Sequence, residues 1–125
     1  NPTDVAVLPC AREAPGERVI VKQTFDGFHQ PALLHTLRQS GKRFLITAGL
    51  VTSVCVFLTT MSAVQLGFLA TVVEDCCACP DRHGETLDRL DRFTQGRTVS
   101  DRIPDRYPEW QAALRKLDAL EKAGI

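Results

Sequence analysis

Apolar residues along this chain fall in short runs separated by glycines and turns, and residues 44–78 show the alternation most fully. Phe44-Leu45-Ile46-Thr47-Ala48 is a near-continuous apolar run, the pattern of a strand covered on both faces. Gly49 ends it. Thr52 and Ser53 are N-cap residue types, so the pattern predicts a helix over 53–66, closed by Gly67. Leu69-Ala70-Thr71-Val72-Val73 predicts a second buried strand, which Glu74-Asp75 terminates. These pieces make one βαβ unit with a right-handed crossover. Upstream, Val5-Ala6-Val7-Leu8 is an apolar run that could touch the core, although Pro9 limits any central strand there.

Arg18-Val19-Ile20-Val21 predicts a strand with Lys22 at its carboxyl end, and Asp26-Gly27 marks a turn in the loop that follows. Pro31 suits the first turn of a helix over 31–39, which carries Leu33, Leu34 and Leu37 at helical spacing and stops at Ser40-Gly41. Cys76-Cys77-Ala78-Cys79-Pro80 reads as a small-residue loop, with Asp75 capping the turn. A helix over 84–93 puts Leu87, Leu90 and Phe93 on one face, and residues 97–99 predict a last short strand. Pro104 and Pro108 break the chain. A final amphipathic helix over 108–123 then sets Trp110, Ala113, Leu114, Leu117 and Leu120 on one stripe. The order β-α-β-α-β-α-(β)-α predicts the α/β class with a parallel sheet.

Length and composition narrow the options. At 125 residues the chain is one domain's worth, and 44% hydrophobic with 24% charged residues is ordinary for a globular protein. Its formal charge is zero, which gives no electrostatic case for nucleic acid or an anionic membrane. The one long apolar window, 51–66, holds Thr, Ser and Gln and is flanked like a soluble helix, so no transmembrane span is expected. The N-terminus lacks the basic and apolar regions of a signal peptide, and the absence of an initial Met suggests residues upstream. Five cysteines, Cys10, Cys55, Cys76, Cys77 and Cys79, form no even framework, and with an α/β pattern they point to a reducing, cytoplasmic setting.

Cys55 is the chemically interesting residue. It follows the carboxyl end of a parallel strand, where α/β sheets place ligands, and it opens a helix, where unpaired N–H groups favour an anion such as a thiolate. The same N–H groups suit the oxyanion formed when sulfur attacks a carbonyl. A buried core cysteine is the plainer account of such a residue taken alone. Lys22 ends the preceding strand in the same way, so both side chains can face one crevice, and a lysine beside a thiol holds the thiolate. A surface lysine at a strand end is the commoner case.

The ordered set from Lys22 to Asp75 resembles the isochorismatase-like cysteine hydrolase superfamily, whose members include nicotinamidases, N-carbamoylsarcosine amidohydrolases and ureidoacrylate hydrolases. The resemblance rests on Lys22 after a strand, a loop closing on Gly27-Phe28, and a G-x-x-T-x-x-C-V turn formed by Gly49, Thr52, Cys55 and Val56. A helix with Thr60, Ala63 and Gly67 and a strand closing on Asp75 complete it. It covers residues 15–78 and extends more weakly to 99. It implies a three-layer Rossmann-like parallel sheet flanked by helices, with residues 15–100 as core, 101–125 as a helical extension, and the first strand or strands missing from this sequence. It implies a triad of Asp, Lys and Cys, with Cys55 as nucleophile and Lys22 as its cation. A cis peptide at Leu50–Val51 would turn the Val51 N–H inward to join that of Cys55 in an oxyanion hole. The implied chemistry is hydrolysis of C–N bonds in small amides or carbamoyl compounds through an acyl-enzyme, with no cofactor and in a homo-oligomer. No residue before Lys22 matches the family's aspartate strand, so the chain resembles the carboxyl-terminal two-thirds of a member. The alternative is a truncated non-catalytic module serving oligomerisation or interaction.

Other constellations carry less. Adjacent Cys76 and Cys77 point to opposite sides, and Cys76 and Cys79, though separated by two residues, have no second such pair to complete a zinc site with His83, so no metal site is read. Phe25, Phe28, His29 and Thr52 are candidates to border a substrate pocket, with Phe25 and Phe28 also able to fill the core. The stripe around Trp110 and Tyr107 packs either on the parent domain or on a neighbouring subunit.

Overall fold

The two apolar runs pair as the βαβ pattern requires. In the computed structural model, which describes residues 7–125, β1 (Phe44–Leu50) and β2 (Leu69–Ala78) are parallel neighbours joined by α2 (Phe57–Gln65). The register starts at Phe44 opposite Leu69 and slips between Thr47 and Gly49, so that Gly49 meets Cys77. Both strands therefore run further than their apolar cores. Gly49 continues β1 with φ at +127°, a conformation that needs a glycine. Glu74 and Asp75 do not end β2, and Cys76-Cys77-Ala78 is strand rather than loop, because the two residues added to β1 supply it with partners.

Around this pair pack α1 (Pro31–Ser40), α3 (His83–Asp91) and α4 (Ile103–Lys122), in an α/β arrangement with a parallel sheet flanked by helices. Gly41 ends α1 in a left-handed cap, with φ at 71°. Val56, Val72, Leu87 and Leu90 form the central cluster, with Phe57, Met61 and Cys77 against it. Each large aliphatic side chain taken out of water there contributes about 1.5–3 kcal/mol. Thr47 on β1 and the buried Thr60 on α2 share a hydrogen bond of 2.8 Å, which ties the helix to the strand without leaving either hydroxyl unsatisfied.

Other expectations need correction. Residues 18–21 form no ladder with either strand. They lie across a cleft from β1, and Val19 and Val21 are exposed. β1 is covered on one face only, since Ile46, Ala48 and Leu50 point at that same cleft. Phe93 follows the end of α3 and is exposed, while Leu87 and Leu90 are fully buried. The last helix begins at Ile103, not at Pro108: Pro104 occupies its first turn, where the missing N–H costs nothing, and Pro108 sits inside it. The short strand over 97–99 is a single parallel bridge, Val73 to Thr98. Of the Val5-Ala6-Val7-Leu8 run, Val5 and Ala6 lie outside the described residues, and Val7 and Leu8 are exposed.

The α4 stripe packs on the same domain. Trp110 is buried, its ring stacked on Phe44 at 4.9 Å between centroids, with Tyr107 edge-on and the Arg106 guanidinium 5.3 Å from its centroid. Arg43 reaches Glu121 through two hydrogen bonds, of 2.6 and 3.0 Å, so the amino end of β1 is closed by α4. The carboxyl end stays open.

Candidate active site

Beyond Leu50 the chain turns through a non-proline cis peptide, Leu50–Val51, at the bond the family resemblance implies. Residues Thr52–Val56 then form a π-helical turn that leads into α2. The Val51 carbonyl accepts from both the Val54 and Val56 N–H groups, at 3.2 Å each. Cys55 thus lies in a wide turn ahead of the α-helix rather than in the helix's own first turn. Neither Thr52 nor Ser53 caps it, since the N-cap position is Val51 and no side chain bonds there. Thr52 is fully buried, and its hydroxyl is bonded instead to His83 Nδ1 at 2.9 Å.

Lys22 and Cys55 come together. The Lys22 Nζ lies 3.8 Å from the Cys55 Sγ and donates to the Thr24 carbonyl at 2.9 Å. The loop carrying Lys22 is fixed to α2 at its far end. Asp26 accepts from the Phe28 N–H at 2.8 Å and from the Ser62 hydroxyl, and the Gly27 N–H donates to Thr59 Oγ1 at 2.9 Å. A side chain at Gly27 would start 3.1 Å from Leu33 Cδ2, so the leucine would have to give by a few tenths of an ångström. Asp26-Gly27 is legible as a turn, but its anchoring to Ser62 and Thr59 is not, because those partners lie on another element. Lys22 and Cys55 open on a cleft of about 540 Å³ that Ile20, Ile46, Ala48 and Leu50 also line.

The pocket candidates are placed differently from one another. Phe25 and His29 are exposed on the loop after Lys22. Phe28 is half-buried with its ring 6.2 Å from that of Phe68, and Thr52 has no exposed surface. Asp75 caps a turn, but not the following one: it accepts from the hydroxyl and N–H of Ser100, and these bonds hold its carboxyl below the usual range. Cys77 is half-buried in β2, and burial pushes its thiol up from the ordinary value. No described helix is long and apolar enough to cross a membrane.

The family model for the isochorismatase domain matches residues 1–102. The chain belongs to the isochorismatase family. The match stops just before α4. An uncharacterised isochorismatase family protein, YddQ of Bacillus subtilis (strain 168), is 33% identical over 78 residues, covering 62% of this chain and 43% of that protein. The ureidoacrylate amidohydrolase RutB of Variovorax paradoxus (strain S110) is 35% identical over 72 residues, 58% of this chain and 29% of that one. The chain therefore spans less than half the length of these two relatives. Among solved structures, an isochorismatase-like hydrolase from Alkaliphilus metalliredigens superposes with a TM-score of 0.74 at 23% identity, over 82% of this chain and 57% of that one, which establishes the shared fold.

Proposed function

We propose that this chain carries the nucleophile and counter-cation of a cysteine hydrolase acting on C–N bonds of small amides or carbamoyl compounds. The observation that carries the reading is the 3.8 Å approach of the Lys22 ammonium to the Cys55 sulfur, at the carboxyl end of β1. A unit charge about 4 Å away is worth about 1 kcal/mol in water and about 4 kcal/mol near a protein surface, so the cation stabilises negative charge on sulfur. The sulfur forms a bond to the carbonyl carbon as the C=O π pair moves onto oxygen, where the Val51 and Cys55 N–H groups receive it. Collapse breaks the C–N bond as the nitrogen departs with its electron pair and a proton taken from water, and a second water then hydrolyses the thioester, releasing the acid and returning the sulfur as thiolate. Similarity to an amidohydrolase supports the amide class. Phe25 and His29 are the pocket candidates with solvent-facing side chains, whereas Phe28 packs on Phe68 and Thr52 is buried, and none of the four is among the residues lining the cleft.

Alkylation by iodoacetamide at neutral pH, followed by peptide mapping, tests this. Cys55 is expected to react faster than the exposed Cys10, and Lys22→Ala is expected to slow Cys55 by about five- to tenfold. Equal rates at Cys55 and Cys10 would sink the reading. Ile46 and Leu50, exposed and lining the cleft, favour a second reading, a module whose open cleft another chain covers, as in a homo-oligomer. Fast alkylation with no hydrolysis of any small amide or carbamoyl compound by the 125-residue chain selects it.

A further inference from the structure

Thr52 is the residue whose surroundings the proposed chemistry leaves unexplained. It follows Val51, the second residue of the cis peptide, and stands three residues before Cys55 in the same π-helical turn. Its carbonyl accepts from the Phe57 N–H, so it fixes where the turn starts and where α2 takes over. Its side chain is fully buried, and a buried hydroxyl needs a partner. That partner comes from another element: His83 Nδ1, at 2.9 Å, on the first residue of α3.

The backbone around His83 is arranged for this contact. Arg82, immediately before it, has φ 55° and ψ 23°, and among the described residues it is the one non-glycine residue with positive φ. Left-handed conformations are disfavoured for side chains larger than hydrogen, so something must hold Arg82 there. Thr86, Leu87 and Leu90 provide the hold, since all three are buried and lock α3 against the core one turn and more beyond His83. The imidazole is thus carried on a rigid element, and the hydroxyl it meets belongs to the turn that bears Val51 and Cys55.

From this geometry we infer that His83 is a positioning residue, acting through Thr52 to aim the Val51 and Cys55 N–H groups at the oxygen of an acyl group attacked by Cys55. The inference rests on the hydrolase reading above and deepens it. It predicts that His83 matters for acyl transfer and not for simple alkylation, because only the first develops negative charge on a carbonyl oxygen. Displacing the donors of an oxyanion site by even a fraction of their bond length is costly to acyl transfer.

Two reagents separate these cases. p-Nitrophenyl acetate acylates a cysteine by forming the C–S bond as the C–O bond breaks and p-nitrophenolate departs with the electron pair. Iodoacetamide alkylates the same sulfur by displacing iodide at a saturated carbon. His83→Ala is expected to slow acylation of Cys55 about 10- to 100-fold. Alkylation should stay within about twofold of the parent chain. His83→Asn, whose amide can occupy the place of Nδ1, should recover most of the loss, and Thr52→Val should reproduce it. Combining His83→Ala with Thr52→Val should slow acylation no more than either alone, as members of one unit do. Should His83→Ala fail to fold, Thr52→Val reads the same bond from its other side. Acylation at the parent rate in a folded His83→Ala or Thr52→Val chain overturns the positioning role and leaves the hydrolase reading intact. Equal slowing of both reagents overturns it in favour of a purely structural contact. No acylation of Cys55 in the parent chain overturns both.

Discussion

On its α3 side the Cys55 turn rests against buried atoms: Thr52 and Leu87 have no exposed surface, and Leu90 has 1%. On its Lys22 side the neighbouring residues are open, with Val19 62%, Val21 73% and Phe25 62% exposed. The first support is made of packed helix, and the second of a loop tied to α2 at Asp26 and Gly27. Packing at native density resists displacement, whereas an exposed loop opens at little cost. The proposed oxyanion donors would thereby be set on the rigid side and the proposed counter-cation on the yielding side. This suits their tasks, since an oxyanion site works by fixed geometry and a cation acts over several ångströms.

The largest effect should come from weakening the rigid side. Leu87→Ala removes a fully buried side chain from the central cluster and is expected to cost about 2–5 kcal/mol, read as a lower urea midpoint with unchanged slope. A loss under about 1 kcal/mol would mean that α3 is not the firm support described here. Weakening the yielding side should cost less. Thr59→Val removes the acceptor of the buried Gly27 N–H, worth about 1–3 kcal/mol at that group. Much of the cost falls on local opening, so amide exchange at Gly27 and Phe28 should rise by about fivefold or more while the urea midpoint moves little. Uniform acceleration across α3 as well would erase the contrast between the two supports.

How much of this was legible in the sequence follows from where each residue's partners lie. The βαβ unit and α1 are legible because apolar runs and glycines are local signals, whereas Lys22 meets Cys55 from a segment that pairs with neither strand and not from a strand end. Thr52 looked like a helix cap because Ser and Thr before an apolar run commonly are. Its hydroxyl goes instead to His83, and no local pattern announces a partner on a later helix. Residues 18–21 have strand composition and still make no ladder, because pairing depends on what lies alongside rather than on propensity. The extension of β2 through Glu74 and Asp75 was hidden for a related reason. At the open end of the sheet, polar side chains reach solvent or Ser100 without leaving the strand. Pro108 reads as a breaker, yet it is accommodated one turn after Pro104 starts the helix.

A smaller perturbation tests whether the contrast belongs to the Cys55 turn or to the carboxyl end of the sheet in general. Asp75 touches neither support. Its carboxylate holds the Ser100 turn that leads into α4, and bonds from the Ser100 hydroxyl and N–H keep its folded value below the ordinary carboxylate value of about 3.9. At neutral pH the group is ionised folded and unfolded alike, and its bonds favour the folded chain in full. As pH falls below the ordinary value the unfolded chain takes up the proton first, and the contribution disappears once pH passes the folded value. Asp75→Asn keeps an acceptor for Ser100 but has no charge to lose. The stability gap between the parent chain and Asp75→Asn should therefore be widest near neutral pH and close in the acid range. Alkylation of Cys55 should be unchanged throughout. A gap that persists below the folded value would show that the side chain acts through shape and not through charge, and altered Cys55 reactivity would join the two ends of this surface into one unit.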